Sequence, residues 1–551
     1  MSEYTFLKGD ADWWRQAVVY QIYPRSFADK NSDGIGDLLG IIDRVPYLKE
    51  LGIDAVWLSP FYPSALADGG YDVDDYRDVD PKIGTLAQFD QMIDALHQAG
   101  IRCYVDIVPN HSGDGHVWFK EAVAAGRGSA ARERYIFREG RGPNGDIRPS
   151  DLVSHFGPTA WTRVTEPDGT PGQWYMHLFA PEQPDWNWDH PEVIEDFKKT
   201  IRFWCDRGVD GFRVDVAHAL KKDLAMDRLP ERESYDLQVM KRGGEDDLFD
   251  RDEVHEIYRD WRKIFNEYDP PRVAVAEAWV HAERRPAYAS ADNLGQAFNF
   301  DLLGTKWKRD DFFKTIDYNI DLASKSGSSS TWVFSNHDVI RHATRFGLPE
   351  GFDQVKWYQS GGKAYDVDVQ KGLERATAAT LLILALPGAT YMYQGEELGL
   401  PEHVAIPSEL MQDPQWFRNP GKAGSRDGCR VPLPWKATGS SFGFGENGSH
   451  LPQPEWFAKY AVEVEDKDAN STLNLYRKAL KLRKGLVTEE KLTWVKHFFA
   501  KDILHFKRPN GWQSITNFGT KPFKLPKGEV LVSNLPIVNG KLPANATAWI
   551  K

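Results

Sequence analysis

Three acidic residues, each placed directly after a short apolar run, have the types and spacing best suited to chemistry. Asp215 follows GFRV, Glu277 follows AVA, and Asp338 ends FSNHD. An isolated carboxylate is more often paired with a nearby arginine and purely structural. Three carboxylates in one pocket repel one another, so their convergence indicates a functional role. Other polar residues take similar positions in the sequence: His111, Arg213 and His337.

Glycoside hydrolysis is a reaction that uses such a set of carboxyl groups. Its oxocarbenium-like transition state requires one ionised carboxylate as nucleophile. It also requires a second carboxyl group that stays protonated and acts as an acid. These two roles account for two of the three acidic residues.

The elements that must position these residues follow from the periodicity of the chain. Short apolar, β-branched runs alternate with amphipathic stretches in the βαβα order of a parallel sheet. Eight such runs favour a closed (β/α)8 TIM barrel, an α/β fold, over an open sheet. In such barrels the chemistry takes place at the C-terminal ends of the strands, where the acidic motifs fall. The runs are 17–27, 55–60, 101–111, 211–217, 272–279, 296–300, 330–338 and 389–395.

Two segments interrupt this alternation, and a third follows it. Residues 112–183 are rich in Gly, Arg, Asp and Trp and are too long for a connecting loop, which predicts an inserted subdomain. A further insertion, dense in Pro, Gly and Trp, is expected at about 401–465. The barrel itself is predicted over 1–111 and 184–485. Short alternating strands over 486–551 predict a compact C-terminal antiparallel β-domain.

The composition limits the kind of partner. The formal net charge of −12 is spread along 551 residues, which disfavours nucleic acid and anionic membranes. The 20 Trp, 21 Tyr and 29 Phe supply many aromatic faces of the kind that stack on sugar rings. A small neutral substrate therefore fits better. We also expect no organic cofactor, and a monomer or a homodimer.

The cysteines and the apolar runs indicate the compartment. Cys103, Cys205 and Cys429 lie far apart without a CxxC pair, so neither a disulfide framework nor a zinc site is indicated. The sequence does not begin with a basic segment followed by an apolar run, and no stretch approaches ~20 consecutive apolar residues. We expect a cytoplasmic protein without a membrane span. The longest apolar run, 376–386, is expected to be a buried helix.

Four motifs in order carry a resemblance to a known family: DIVPNH, GFRVDVAH, AVAEAW and FSNHD. Together they resemble the α-amylase family of glycoside hydrolases (family 13), and within it the branch of oligosaccharide-acting α-glucosidases. The resemblance covers nearly the whole chain. It implies that Asp215 is the nucleophile, held by Arg213, and that Glu277 is the acid/base. It also implies that His337 and Asp338 grip sugar hydroxyls and stabilise the distorted ring.

Further motifs of this resemblance describe the innermost sugar subsite. In DIVPNH, Asp106 supports the site and His111 contacts the sugar. In GGYDVDDY, Tyr71 is expected to stack on the sugar ring and Asp72 to bind its terminal hydroxyls. SRDGCRVPLPW resembles the SRDxxRTPMQW segment of the branch and is expected to place Arg430 beside Asp72. That ion pair would close the far end of the pocket and so impose exo action.

Two more segments are similar to the branch. HLFAPEQPDWNW implies that Phe179 and Gln183 line the pocket, although an aromatic residue here also suits a subdomain hinge. DKNSDGIGDLLG resembles a loop that binds one structural Ca²⁺ or Mg²⁺, and Gly40 stands where an EF-hand places its glutamate. The alternative for this loop is a metal-free Asx turn. The implied ligands are Asp29, Asn31, Asp33, the carbonyl of Ile35, and Asp37.

The resemblance leaves several functions open. The leading interpretation is a retaining, exo-acting α-glucosidase that hydrolyses maltose and short oligosaccharides, with possible transglucosylation. Transglucosylases and isomerases, such as trehalose synthases and sucrose isomerases, use the same motifs. Val216 after the nucleophile is associated with α-1,6 cleavage, as in oligo-1,6-glucosidases, whereas VAHA resembles maltase-like members, which favours α-1,4 bonds. A non-enzymatic binding protein is disfavoured, because the catalytic carboxylates are present.

Overall fold

The structure, a computed structural model, describes residues 10–225 and 229–551. Its strands, in chain order, are β1 (Val18–Ile22), β2 (Ala55–Leu58), β3 (Arg102–Ile107), β4 (Phe137–Arg138), β5 (Trp161–Thr165), β6 (Pro171–Met176), β7 (Gly211–Val214), β8 (Val273–Ala276), β9 (Gly295–Ala297), β10 (Thr331–Val333), β11 (Ala389–Tyr393), β12 (Thr493–Trp494), β13 (Ile503–Lys507), β14 (Gln513–Asn517), β15 (Phe523–Lys524), β16 (Val530–Ser533), β17 (Lys541–Leu542) and β18 (Ala546–Ile550). Its α-helices are α1 (Leu38–Asp43), α2 (Val45–Leu51), α3 (Leu86–Gln98), α4 (Val117–Ala125), α5 (Pro191–Asp206), α6 (Val254–Phe265), α7 (Arg285–Tyr288), α8 (Arg309–Ser326), α9 (His342–Arg345), α10 (Gln354–Gln359), α11 (Val369–Ala385), α12 (Pro414–Arg418), α13 (Asp427–Arg430), α14 (Val462–Glu465) and α15 (Thr472–Leu486).

One parallel sheet of eight strands, in the order β10-β11-β1-β2-β3-β7-β8-β9, forms the centre of the molecule. Its strands coincide with the eight apolar runs of the sequence. At its two edges the hydroxyl of Thr331 donates to the carbonyl of Ala297 (2.9 Å) and accepts from the amide of Asn299 (2.9 Å). This side-chain bridge joins β9 to β10, so the sheet is nearly closed. The predicted barrel is confirmed.

Both faces of the sheet are buried, which explains why its strands are continuous apolar runs. Along β1, Tyr20 belongs to the large core between strands and helices, whereas its neighbour Val19 belongs to a second core. The second core fills the inside of the barrel with the alternate residues of several strands. It includes Trp57, Tyr104, Val275, Phe298, Val333 and Tyr391.

The second part of helix α11 is apolar nearly all round, and the helix packs on both α15 and β18. Residues 376–385 of this helix are all buried. The expectation of a buried helix at the longest apolar run is therefore confirmed. Within the described ranges, no helix is long and apolar enough to cross a membrane.

The remaining strands form smaller antiparallel sheets. Strands β4 to β6, which lie between β3 and β7 in the chain, form a three-stranded sheet in the order β4-β6-β5. After α15 the chain forms a five-stranded sheet in the order β12-β13-β14-β18-β16, and β15 pairs with β17. The C-terminal antiparallel sheet is thus present as expected. The boundaries of the individual units stay predictions.

Candidate active site

The acidic motifs meet at the C-terminal edge of the barrel strands. Asp215 and Glu277 follow β7 and β8 directly, and the register of these strands pairs Val214 with Ala276. The two carboxyl-bearing residues therefore emerge side by side. With Asp338, which follows β10, they line a cavity of about 920 Å³.

The guanidinium of Arg213 lies at the centre of the carboxylates. Its Nη1 is 2.5 Å from Oδ1 of Asp215 and 2.9 Å from Oδ1 of Asp106, and its Nη2 is 2.6 Å from Oε2 of Glu277. Asp106 stands opposite Arg213 in the β3–β7 register, which fixes this contact. Arg213 is only 2% exposed, so its charge is poorly screened and offsets the mutual repulsion of the acids.

The carboxyl groups of Asp215 and Glu277 act as a coupled pair. Burial raises the pKa of Asp215; Arg213 opposes the shift, and the Glu277 carboxyl, within hydrogen-bonding reach, raises it further. We infer that the pair holds one proton at neutral pH, as an acid and a nucleophile require. Both carboxyls contact the single guanidinium of Arg213, an arrangement that fits the close pair of a retaining glycosidase better than the ~6.5–9.5 Å that inverting enzymes use to admit a water molecule.

The backbone after Asp215 helps to hold Glu277. Val216 has a φ of +44°, a left-handed conformation that a β-branched residue rarely adopts. In this conformation its N–H donates to Oε2 of Glu277 (3.1 Å), while Nε1 of Trp279 donates to Oε1 (3.1 Å). Such strain costs on the order of 1–3 kcal/mol and persists where the surrounding structure imposes it. Here it fixes the position of the Glu277 carboxyl.

Asp338 stays ionised because cations surround it. Its Oδ1 accepts from Nη2 of Arg430 (2.8 Å) and from Nη1 of Arg426 (3.2 Å). Burial raises the pKa of Asp338, but the adjacent ring of His337 and the guanidinium groups of Arg426, Arg430 and Arg213 outweigh burial and lower it below the usual range. This residue therefore offers sugar hydroxyls a carboxylate acceptor rather than a proton.

Two histidines and a tyrosine form the floor of the cavity. The Tyr71 ring is stacked on His337 at 5.3 Å, and the Tyr71 hydroxyl donates to Oδ2 of Asp106 (3.0 Å). His111 lies against the backbone carbonyl of Tyr71 (3.1 Å). Burial lowers the pKa of both His111 and His337 to about 3. Both rings are therefore neutral and able to donate or accept hydrogen bonds with an uncharged sugar.

The predicted pairing of Asp72 with Arg430 is wrong. The Asp72 carboxylate accepts from the backbone N–H groups of Ala67 and Asp68 (both 3.0 Å) and so closes the turn that precedes Tyr71. Arg430 instead donates to Asp338 and, through Nε, to the carbonyl of His337 (2.8 Å). Neither residue is among those that line the cavity.

We infer that the ion pair closing the cavity is formed by Asp68 and Arg426, each four residues earlier in the chain than the expected partner. Nη2 of Arg426 is 2.7 Å from Asp68 and 2.8 Å from Asp413, and both Asp68 and Arg426 line the cavity. Asp413 is fully buried and holds the guanidinium from behind. The other terminal nitrogen of Arg426, Nη1, is directed to Asp338, which also lines the cavity.

The two residues expected from the HLFAPEQPDWNW segment take different places. Phe179 lines the cavity and is stacked on His155 at 4.7 Å. Gln183 is fully buried behind the wall, where its Nε2 donates to Oδ2 of Asp68 (3.3 Å). Gln183 therefore supports the closing pair from behind the cavity wall.

The side-chain oxygen atoms of the proposed metal loop accept hydrogen bonds from N–H groups of the same loop. The carboxylates of Asp29 and Asp37 each accept from at least two backbone N–H groups, and Asp37 also caps α1. Asp33 accepts from the amide of Ile35 (2.9 Å), and the side-chain oxygen of Asn31 from the amide of Asp33 (2.9 Å). Among the described residues, no three acidic, His or Cys side chains are arranged to hold a metal ion. In this arrangement the side-chain oxygens are bonded to N–H groups of the loop, as in the alternative Asx turn, and do not form a cation site. The structural cation stays a prediction from the resemblance, and no step below involves it.

Several lining residues were not singled out from the sequence. Arg426 lies inside a motif that was noted and Asp68 directly before another, and the repeated Asp and Arg gave no means of choosing between the copies. The cavity wall formed by 153–156 and 233–240 carries no motif, because its side chains reach the site through tertiary packing. An aromatic stack joins these segments: Tyr235 lies 3.9 Å from His155 between ring centroids.

The catalytic pair makes a prediction about pH. Replacing Glu277 with Gln is expected to move the acidic limb of activity to lower pH on an aryl α-glucoside with a good leaving group, which needs no acid. Glu277 is among the groups that raise the pKa of Asp215, so a neutral amide in its place lets that pKa fall, and the nucleophile stays ionised at lower pH. The measurement is kcat/KM against pH for the wild type and the variant. An acidic limb at the same pH in both proteins would contradict the coupling of the two carboxyls.

A model of the α-amylase catalytic domain matches residues 21–490 of this chain. The chain belongs to the α-amylase family. Its relatives are named as enzymes, and the chain is a glycoside hydrolase of this family.

Three relatives from this family have different named substrates. A probable α-glucosidase of Rhizobium meliloti is 35% identical over 87% of this chain and 84% of its own. An oligo-1,6-glucosidase of Parageobacillus thermoglucosidasius is 34% identical over 86% and 84%. A trehalose-6-phosphate hydrolase of Escherichia coli is 34% identical over 88% and 85%. The solved structure of the α-glucosyl transfer enzyme XgtA has a TM-score of 0.81 and 30% identity, and covers 98% of this chain and 99% of its own. Membership of the family therefore leaves the substrate open.

Proposed function

We propose that the protein is a retaining, exo-acting α-glucosidase that removes terminal non-reducing α-linked glucose from maltose and short oligosaccharides. One observation carries this proposal. The catalytic carboxyls lie in the same cavity as the Asp68–Arg426 ion pair, and we infer that this pair closes its inner end. The same guanidinium also contacts Asp338, so the closing pair and the sugar-binding acid form one unit.

This closure implies that one glucose fills the inner end of the cavity. Asp68, Arg426 and Asp338 together offer acceptors and donors to the hydroxyls of a terminal sugar. The space in which a second sugar would continue is occupied by the ion pair. A substrate must therefore enter with its non-reducing end first, and the bond beside Asp215 and Glu277 is the first bond of the chain.

The chemistry follows from the carboxyl pair. Asp215 attacks the anomeric carbon as the glycosidic C–O bond breaks, and Glu277 gives its proton to the leaving oxygen. Arg213 neutralises the charge that is left on Glu277. Water then attacks the glucosyl ester, Glu277 takes its proton, and Asp215 leaves as a carboxylate. Two displacements at one carbon preserve the α configuration.

Linkage is the finer part of the proposal. We favour α-1,4 bonds on the resemblance of the VAHA segment, in which Val216 and His218 both line the cavity. An α-1,6 preference is the alternative, since a relative is named oligo-1,6-glucosidase. Transfer of glucose to a second sugar in place of water is a further alternative, which the structural similarity to an α-glucosyl transfer enzyme supports.

The products from maltotriose and soluble starch test exo action. We expect glucose and maltose in equal amounts as the first products from maltotriose, and slow release of glucose alone from starch. Chromatography of early time points measures both reactions. Release of maltotriose or longer products from starch would mean that the cavity is open at the end where the structure places Asp68 and Arg426.

A further inference from the structure

The outer wall of the cavity is formed by the chain between β7 and α6. Residues 233–238 of this segment line the cavity together with Val216 and Trp279, both of which donate to the Glu277 carboxyl. The segment is fixed in place, because the carbonyl of Arg232 accepts from the amide of Val153 (3.1 Å). Because Glu277 protonates the leaving oxygen in the proposed mechanism, we infer that the departing part of the substrate lies against this wall.

This wall carries negative charge. Glu233 and Asp236 both line the cavity and are exposed to solvent. Of the described residues that line the cavity, the one Arg or Lys is Arg426, which Asp68, Asp338 and Asp413 already hold.

The histidines in the cavity add no positive charge. Burial lowers the pKa of His155 to about 3 and that of His218 to about 4. Together with His111 and His337, they are neutral at pH 7. An anionic group that entered here would meet two carboxylates without a counter-charge.

We propose that the outer wall selects the leaving group by charge, accepting uncharged and cationic aglycones and rejecting anionic ones such as a phosphorylated sugar. The inference deepens the proposed function and rests on it. Recognition of a phosphate relies on Arg, Lys or backbone N–H groups that point at it. Glu233 and Asp236 are negatively charged instead, and they repel a phosphate. One relative of this chain is named trehalose-6-phosphate hydrolase, and the proposal separates this chain from that substrate.

The test uses three aryl α-glucosides that differ in the charge on the ring: 4-nitrophenyl (neutral), 4-carboxyphenyl (anionic) and 4-(trimethylammonio)phenyl (cationic). The ratio of kcat/KM for the anionic to the cationic substrate is compared between the wild type and the double variant Glu233→Gln/Asp236→Asn. The two substrates also differ in leaving-group reactivity, but this difference affects the ratio equally in both proteins and cancels when the two ratios are compared. The ratio should rise about five- to tenfold in the double variant at low ionic strength. It should rise much less in 1 M salt, where the Debye length is about 3 Å.

Glu245→Gln is the matched control. Glu245 is an exposed acid of the same segment that does not line the cavity, and this variant should leave the ratio unchanged. An unchanged ratio in the double variant, or an equal shift in Glu245→Gln, overturns the charge selection. The neutral glucoside tests the proposed function separately. If the wild type does not cleave it, the α-glucosidase assignment fails, and with it the basis of this proposal.

Discussion

Replacing Asp215 with Ala, or Glu277 with Gln, is expected to lower kcat for maltose by about a thousandfold or more, because each change removes a group that acts in the transition state. Folding should be retained, since Arg213 keeps Asp106 and one of the pair as partners. Steady-state kinetics and thermal melting measure the two effects. Near-normal activity in either variant would mean that the assignment is wrong.

Azide distinguishes the nucleophile from the acid/base in two alanine variants, Asp215→Ala and Glu277→Ala. With Asp215→Ala, azide is expected to take the place of the missing carboxylate, attack an activated α-glucoside from the opposite face and give β-glucosyl azide. With Glu277→Ala, the glucosyl ester of Asp215 still forms, and azide should convert it to α-glucosyl azide. The same azide anomer from both variants would contradict the division of roles.

The second large effect is expected from Arg426→Ala. This change leaves the buried carboxylates of Asp68 and Asp413 without their cation and removes an anchor for the terminal sugar. We expect a loss of about 2–4 kcal/mol in transition-state binding, which is at least about 30-fold in kcat/KM for maltose.

Arg418→Ala is the matched control for Arg426. Arg418 lies in α12, and its guanidinium donates to the backbone carbonyl of Gly157 (3.2 Å), away from the cavity. This variant should keep its kcat/KM for maltose. If Arg426→Ala also leaves maltose kinetics unchanged, the cavity does not end at this pair.

The sequence was sufficient to predict the barrel and the places of the catalytic acids. Eight apolar runs corresponded to eight strands, because both faces of a parallel sheet are buried and the pattern is strong. Asp215 and Glu277 immediately follow such runs, so the strand register alone brings them together.

Residues that reach the site through loops could not be placed in the same way. The motifs around 68–72 and 426–430 each repeat a charged residue four positions apart, and only the folded turn shows which copy faces the cavity. In the structure, the Asp72 carboxylate accepts from backbone N–H groups of that turn, and Asp68 is the residue that pairs with Arg426. The 233–238 wall has no periodicity that would predict it, since its position depends on packing against His155.

The anomer released first from maltose tests the central claim most directly. Proton NMR in the first minutes, before mutarotation, separates the anomeric signals of α- and β-glucose. The account predicts that the non-reducing glucose is released as the α anomer, because Asp215 and Glu277 are close enough for two successive displacements. Initial release of β-glucose would require a single displacement by water between separated carboxyls, and would contradict the mechanism.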